Sequence, residues 1–179
     1  MDVSTNEDDE ISLVDSAVNG DTGAFTQLFN RYYAMIYAFT YRLSLCASDA
    51  QDITQETFIK AARSIGSFRR ESSFKNWLYR IATNVNRDWQ RHRQRQTRLD
   101  DELTAIANET ERPADDRAVV EALGALPDEM RQAIVLVYYE EMNHAEAAKI
   151  IGCAESTVSW RIFRAKRKLK QLLSQEGDA

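Results

Sequence analysis

Two prolines and six glycines in 179 residues are too few to punctuate a loop-rich fold. The two cysteines, Cys46 and Cys153, lie far apart and match no metal or redox spacing. They read as small buried hydrophobes of a reducing compartment rather than as a disulfide. The two histidines, His92 and His144, fall in different parts of the chain. No nucleophile with a base, and no metal-ligand set, accompanies either of them, so neither enzymatic activity nor a cofactor is expected. No apolar run approaches the ~18 residues of a membrane span, and no signal-peptide pattern opens the chain. A cytoplasmic protein without membrane insertion is the expectation, and nothing in the sequence points to a small-molecule substrate.

What is present is hydrophobic content of 44%, ample for real cores, and charge that is strongly segregated. Net charge is -5, which alone argues against nucleic acid. The distribution argues the reverse. Residues Lys60–Arg98 hold 11 Lys/Arg against 2 Asp/Glu, and Lys149–Lys170 hold 7 against 1. Acid gathers in the N-terminal tail and in Leu99–Met130, with 10 Asp/Glu against 2 Arg. Binding responds to local potential, so two basic faces matter more than the total.

Along the chain, residues 1–11 are acidic and polar and are expected to be disordered. Ser12 is placed to cap a short helix ended by Asn19-Gly20, and Asp21 to cap a longer one from Thr22 to Leu45. The latter is apolar over a wide arc and so belongs at the centre of a bundle. Ser48-Asp49-Ala50-Gln51 has capping-box form and starts a helix that ends at Gly66. Its packing side is Ile53, Phe58, Ala61, Ala62 and Ile65. Asp49, Asp52, Gln55 and Glu56 leave an acidic surface, which is either an ordinary solvated face near a helix N-terminus or a docking face.

After a loop over Gly66–Ser73, Ser72 or Ser73 caps a long helix reaching about Arg98. With Phe74 as reference, Leu78, Ile81 and Val85 fall within roughly 40° and Trp89 at about 60°. Arg80, Asn84, Arg87 and Arg91 gather roughly 220–280° round, and Trp77 borders the two faces at about 300°. One side packs; the other meets something anionic. Leu99–Arg117 is acidic, contains Pro113 and has no sustained period, so it reads as a linker. It and the acidic tail are expected to screen the basic faces.

A second apolar pattern begins near Ala118. Pro127 suits the first turn of the next helix. Asn143 with Glu146 forms another capping box, opening a short helix that Gly152 ends. The last helix runs to about Leu173. A short helix, a tight Gly turn and a longer basic helix have the form of a helix-turn-helix. Val158, Ile162, Ala165, Leu169, Leu172 and Leu173 share one side of that last helix. Ser156, Trp160, Phe163 and Arg167 lie roughly opposite, at about 140–200°, with Arg164 beside them. Exposed Trp and Phe on a basic helix suit a DNA major groove, and Ser156 and Thr157 suit phosphates. A partner-protein surface is the other reading. The fold class is all-α: two small helical domains, residues 12–97 and 118–175, joined by a flexible acidic linker over 98–117.

The stretch QDITQETFIKAARSIGSFRRESSFKNWLYRIATNVNRDW resembles the second conserved region of bacterial extracytoplasmic-function sigma factors of the sigma-70 family. ALGALPDEMRQAIVLVYYEEMNHAEAAKIIGCAESTVSWRIFRAKRKL is similar to their fourth region. The resemblance implies an initiation factor that binds core RNA polymerase, directs it to promoter DNA and is held in check by an anti-sigma factor. It implies polymerase docking at Asp49, Asp52, Gln55 and Glu56. It assigns the minus-ten element to Phe68, Arg69, Arg70, Ser72, Ser73, Arg80, Asn84, Arg87 and Arg91. It assigns the minus-thirty-five element to Ser156, Thr157, Ser159, Trp160, Arg161, Phe163, Arg164 and Arg167. The sequence departs from the family in two places. Gln51 stands where relatives carry an acid, and Ser159-Trp160 stand where many carry a basic residue and then serine. The alternative function is a stand-alone helix-turn-helix regulator.

Overall fold

In the computed structural model, residues 3–99 and 120–176 are described. All regular structure among them is helical. The first half comprises α1 (Val3–Val18), α2 (Thr22–Ser44), α3 (Ala47–Ser64), a 3-10 turn (Ile65–Ser67) and α4 (Phe74–Leu99). The second comprises α5 (residues 120–124), α6 (Asp128–Ile134) continuing into a π-helical turn (Val135–Tyr139), α7 (His144–Ile151) and α8 (Glu155–Glu176). The acidic linker and its screening role fall outside the described residues, apart from the end of α4.

The central helix is α2. Leu28, Tyr32, Ile36, Phe39 and Leu43 recur every three or four residues and are all buried. At about 1.5–3 kcal/mol per buried large side chain, this stripe outweighs local propensity in fixing the helix. Asp21 begins it as expected, its Oδ1 accepting from the Gly23 and Ala24 amides at 2.8 and 3.1 Å. Leu45 ends it in a left-handed conformation. Between α2 and α3 the Thr40 and Thr54 hydroxyls meet at 2.8 Å in the dry interior. Phe39 and Tyr79 stack edge to face at 4.8 Å and lock α2 to α4.

Several local expectations are corrected. The acidic start is helical from Val3 rather than disordered. Its later turns are anchored: Val14 and Ala17 are buried, Asp9 pairs with Arg31 at 2.6 Å, and Glu10 accepts from the Tyr32 hydroxyl. Ser12 therefore lies inside a helix instead of capping one. Helix α3 starts two residues early, after Cys46, which makes no side-chain cap bond. Ser48 meets the Cys46 sulfur at 3.2 Å instead of capping. Pro127 precedes α6 rather than entering it. Both cysteines are free and half-buried rather than fully buried. Ala62, assigned to the packing side, is exposed. The capping box at Asn143 and Glu146 and the left-handed Gly152 form as read.

The two halves are not held apart. Their buried side chains form one continuous cluster from Val14 through Tyr79 to Leu126, Leu136 and Ala165. Arg131, on α6, is buried and donates to three carbonyls: Leu123 at 2.9 Å, Leu126 at 3.0 Å and, in the other half, Leu43 at 2.8 Å. Carbonyls near helix ends lack intrahelical partners, and a guanidinium supplies donors to several at once. Burial pulls the Arg131 pKa down from its ordinary value, while Asp128 at 3.0 Å opposes that. Glu140 accepts from the Tyr79 hydroxyl and lies 3.7 Å from Arg42.

Candidate nucleic-acid and polymerase interfaces

The loop before α4 and the first turns of that helix shape one wide cleft of about 870 Å³. Phe68, Arg69, Ser72, Ser73 and Arg80 line it, with Glu146, Lys149 and Ile150 across from them. The loop is held by local contacts. Phe68 lies 5.1 Å from Trp77 and 5.9 Å from Phe74, ring centre to ring centre, and is half-buried. Ser73 Oγ accepts from the Asn76 amide at 3.1 Å and caps α4. Trp77 is buried, which settles its place on the packing side. Asn76, passed over in the sequence, also lines the cleft; its polar side chain one residue before Trp77 is the only sequence signal for it.

Arg70 leaves this cleft. It adopts a left-handed backbone with φ of 56° and pairs with Asp15 of α1. Asn84, Arg87 and Arg91 continue the polar stripe of α4 beyond the cleft. Asn84 and Arg91 are exposed, and Arg87 is half-buried. Arg87 Nη1 reaches Asn84 Oδ1 at 3.3 Å, and its Nη2 donates to the Ile151 carbonyl at 3.0 Å.

Helix α8 buries Val158, Ile162 and Ala165 and presents the opposite side to solvent. Trp160 is 55% and Phe163 64% exposed. The Arg164 guanidinium sits 5.5 Å from the Trp160 ring centre, which holds a cation over an aromatic face. Ser156 and Arg167 are exposed and Thr157 is half-buried. Ser159 is exposed but engaged, 2.8 Å from His144 Nδ1. Arg161 corrects the sequence reading. Its side chain is turned inward, bonded to Glu129 at 2.6 Å, with Cys153 Sγ at 3.9 Å. It stands on the border of the packing stripe and ties α8 to α6.

On the other flank, α3 and α4 enclose a groove of about 840 Å³ lined by Asp49, Asp52, Gln55, Glu56, Ile59 and Trp89, among others. Asp49 pairs with Arg93 at 2.6 Å and Glu56 with Lys60 at 3.9 Å, while Asp52 and Gln55 are exposed. Ile59, which is not among the residues the sequence singles out, is 44% exposed. An isoleucine among acids and amides was its signal.

The order of these surfaces has close parallels. Residues 28–96 match the Sigma-70 region 2 family and residues 116–169 the Sigma-70 region 4 family. The ECF RNA polymerase sigma factor SigM of Mycobacterium tuberculosis is 33% identical over 92% of this chain and 84% of its own length. The chain belongs to the extracytoplasmic-function sigma factors. The sigma-E factor of Haemophilus influenzae is 33% identical over 89% of this chain and 92% of its own. Among solved structures, CnrH in complex with the cytosolic domain of CnrY aligns with a TM-score of 0.71. It is 31% identical, with 93% of this chain and 97% of that chain covered. Bartonella quintana RpoE bound to the anti-sigma factor NepR gives a TM-score of 0.70 at 31% identity, covering 84% and 96%.

As a sigma factor, the protein is a promoter-specific transcription initiation factor. Among its described residues, no helix is long and apolar enough to cross a membrane, and no group of His, Cys, Asp and Glu is arranged to hold a metal. One family region ends just before the acidic stretch and the other begins at its end.

Proposed function

We propose that this sigma factor divides its work among the three surfaces. The α3 face, with Asp49, Asp52, Gln55 and Glu56, docks on core RNA polymerase, and Ile59 adds an apolar contact. The loop residues Phe68, Arg69, Ser72 and Ser73 capture an unstacked base of the minus-ten element. Arg80, Asn84, Arg87 and Arg91 hold the separating strand along α4. Arg70 acts through the loop's shape, since Asp15 already holds it. On α8, Ser156, Thr157, Ser159, Trp160, Phe163, Arg164 and Arg167 read the minus-thirty-five element, and Arg161 supports the helix from inside. The factor works in the cytoplasm, performs no catalysis of its own and is restrained by an anti-sigma factor.

The observation that carries the reading is the exposure of Trp160 and Phe163, 55% and 64%, on a helix whose other side buries Val158, Ile162 and Ala165. Nothing in the fold needs two large aromatics there, whereas thymine methyls in a major groove suit them, and Arg164 beside them suits a guanine edge. The chemistry of the cleft agrees. Flipping a base costs a few kcal/mol of stacking and pairing, offset by an aromatic wall and hydrogen-bond donors.

Run-off transcription with core polymerase on a randomised promoter library tests this reading. Enrichment of two sequence blocks with a fixed spacer is the expected result. Failure to bind core, with intact duplex binding by the chain alone, would overturn it.

A further inference from the structure

Ser159 lies on the flank of the exposed side of α8 rather than at its centre. With Val158 as reference it falls about 100° round, whereas Trp160, Phe163 and Arg167 gather at about 140–200°. Arg164, at about 240°, takes the opposite flank. A helix in a major groove turns its centre to base edges and its flanks to the sugar-phosphate walls. Ser159 is uncharged, and what stands beside it is His144, the first residue of α7.

His144 Nδ1 lies 2.8 Å from Ser159 Oγ. The single hydroxyl proton decides the direction of that bond. Ser159 donates to the Glu155 carbonyl at 3.2 Å, one turn back on α8. With its proton used there, the oxygen accepts from His144, so Nδ1 carries a hydrogen. The ring is thereby oriented, with Nε2 on its other edge. No hydrogen bond among the described residues uses Nε2, and the ring is only half-buried. The acid of the first turn of α7 does not take it either: Glu146 is turned back on the cap, accepting from the Asn143 amide at 3.0 Å.

We propose that His144 contacts a phosphate of the minus-thirty-five element, presented by Ser159 so that Nε2–H donates to the groove wall. Ser159 is then a positioning residue that acts through the ring rather than on a base. With Nδ1–H committed to the serine, a second proton on Nε2 makes the ring a cation. A phosphate is the partner that favours such a charge and accepts a strong hydrogen bond from it. The inference rests on the proposed role of α8 on the minus-thirty-five element; the bond between His144 and Ser159 does not.

Holoenzyme made with the full chain tests it, on promoter DNA in which single phosphates of the minus-thirty-five block are replaced in turn by neutral methylphosphonates. Wild type is expected to lose about tenfold in affinity at each phosphate it contacts, the scale of a charge-assisted hydrogen bond. His144→Ala should lose about tenfold on unmodified DNA and, at one of those positions, lose nothing further. Its slope of log affinity against log salt should be shallower by about 0.9. Ser159→Ala keeps the ring without its orientation and should cost about threefold, felt at the same phosphate. It carries the test without altering α7, should His144→Ala disturb that helix. A merely structural tie between α7 and α8 would lower affinity evenly, whichever phosphate is neutralised.

Variants as sensitive as wild type at every position overturn the phosphate contact. The double variant Trp160→Ala, Phe163→Ala then tells which reading has failed. If it binds as well as wild type, and no methylphosphonate in the block matters, α8 does not serve the minus-thirty-five element at all. If it binds more weakly, that role stands and the His144 contact alone is refuted.

Discussion

The guanidinium of Arg87 bridges Asn84 Oδ1 at 3.3 Å and the Ile151 carbonyl at 3.0 Å, so one side chain joins the polar stripe of α4 to the end of α7. Two roles therefore meet in it, and salt dependence separates them. Arg87→Ala removes one phosphate contact if the proposed role is right. The slope of log affinity for forked DNA against log salt should then shrink by about 0.7–0.9. An unchanged slope with altered affinity would leave Arg87 only its bond to the end of α7.

The roles proposed for Asn84 and Arg164 belong to different steps. Asn84→Ala is expected to reduce opening by about tenfold, the scale of one or two lost hydrogen bonds to a base, with upstream recruitment intact. Arg164→Ala should weaken recruitment by a similar factor and leave the opening of recruited complexes alone. Permanganate footprinting beside a recruitment assay reads both; loss of both steps in both variants would count against the division.

Trp160 and Phe163 contribute little to folding if their exposure reflects their role. Replacing both by alanine should change stability by less than about 0.5 kcal/mol per site. Binding to minus-thirty-five DNA should fall by roughly 1–3 kcal/mol for each lost base contact. Denaturant melts and holoenzyme binding decide between this and a packing role, in which stability would fall first.

Alkaline pH should loosen the protein through its tyrosines. Burial, followed by the hydrogen bond to Glu140, raises the Tyr79 hydroxyl well above its ordinary 10.0. Burial and Glu10 do the same for Tyr32. Arg42 and Arg31 oppose these shifts only in part. The folded state thus keeps protons that the unfolded chain releases. This contribution is complete below pH 10.0 and drains away as the pH climbs from there toward the folded-state values. Circular dichroism from pH 8 upward should show an alkaline loss of structure that Tyr79→Phe makes shallower. An identical alkaline midpoint in the variant would contradict it.

Much of this was legible because it is local. Asp21, the box at Asn143 and Glu146, and Gly152 are cap chemistry within one helical turn. The exposed Trp160 and Phe163 follow from the 3.6-residue period. Other features depend on partners far along the chain. Arg161 sits on the edge of the α8 packing stripe, and only the position of Glu129, 32 residues earlier, decides that it turns inward. The acidic start reads as disordered by composition, yet Arg31 and Tyr32, 22 residues on, hold it as a helix. The contact between the two halves depends on carbonyls at helix ends, which no side-chain pattern announces.

The pairing of Arg70 with Asp15 has a practical consequence for dissection of the protein. The family match begins at residue 28, but the loop that follows α3 is buttressed by a helix lying wholly before that point. A fragment cut at residue 28 would lose Val14 and Ala17 from the core, along with the carboxylate that holds Arg70 in its left-handed turn. The loop would be released into other shapes. Weak DNA capture by such a fragment would therefore measure the missing helix and say nothing about the loop in the intact chain.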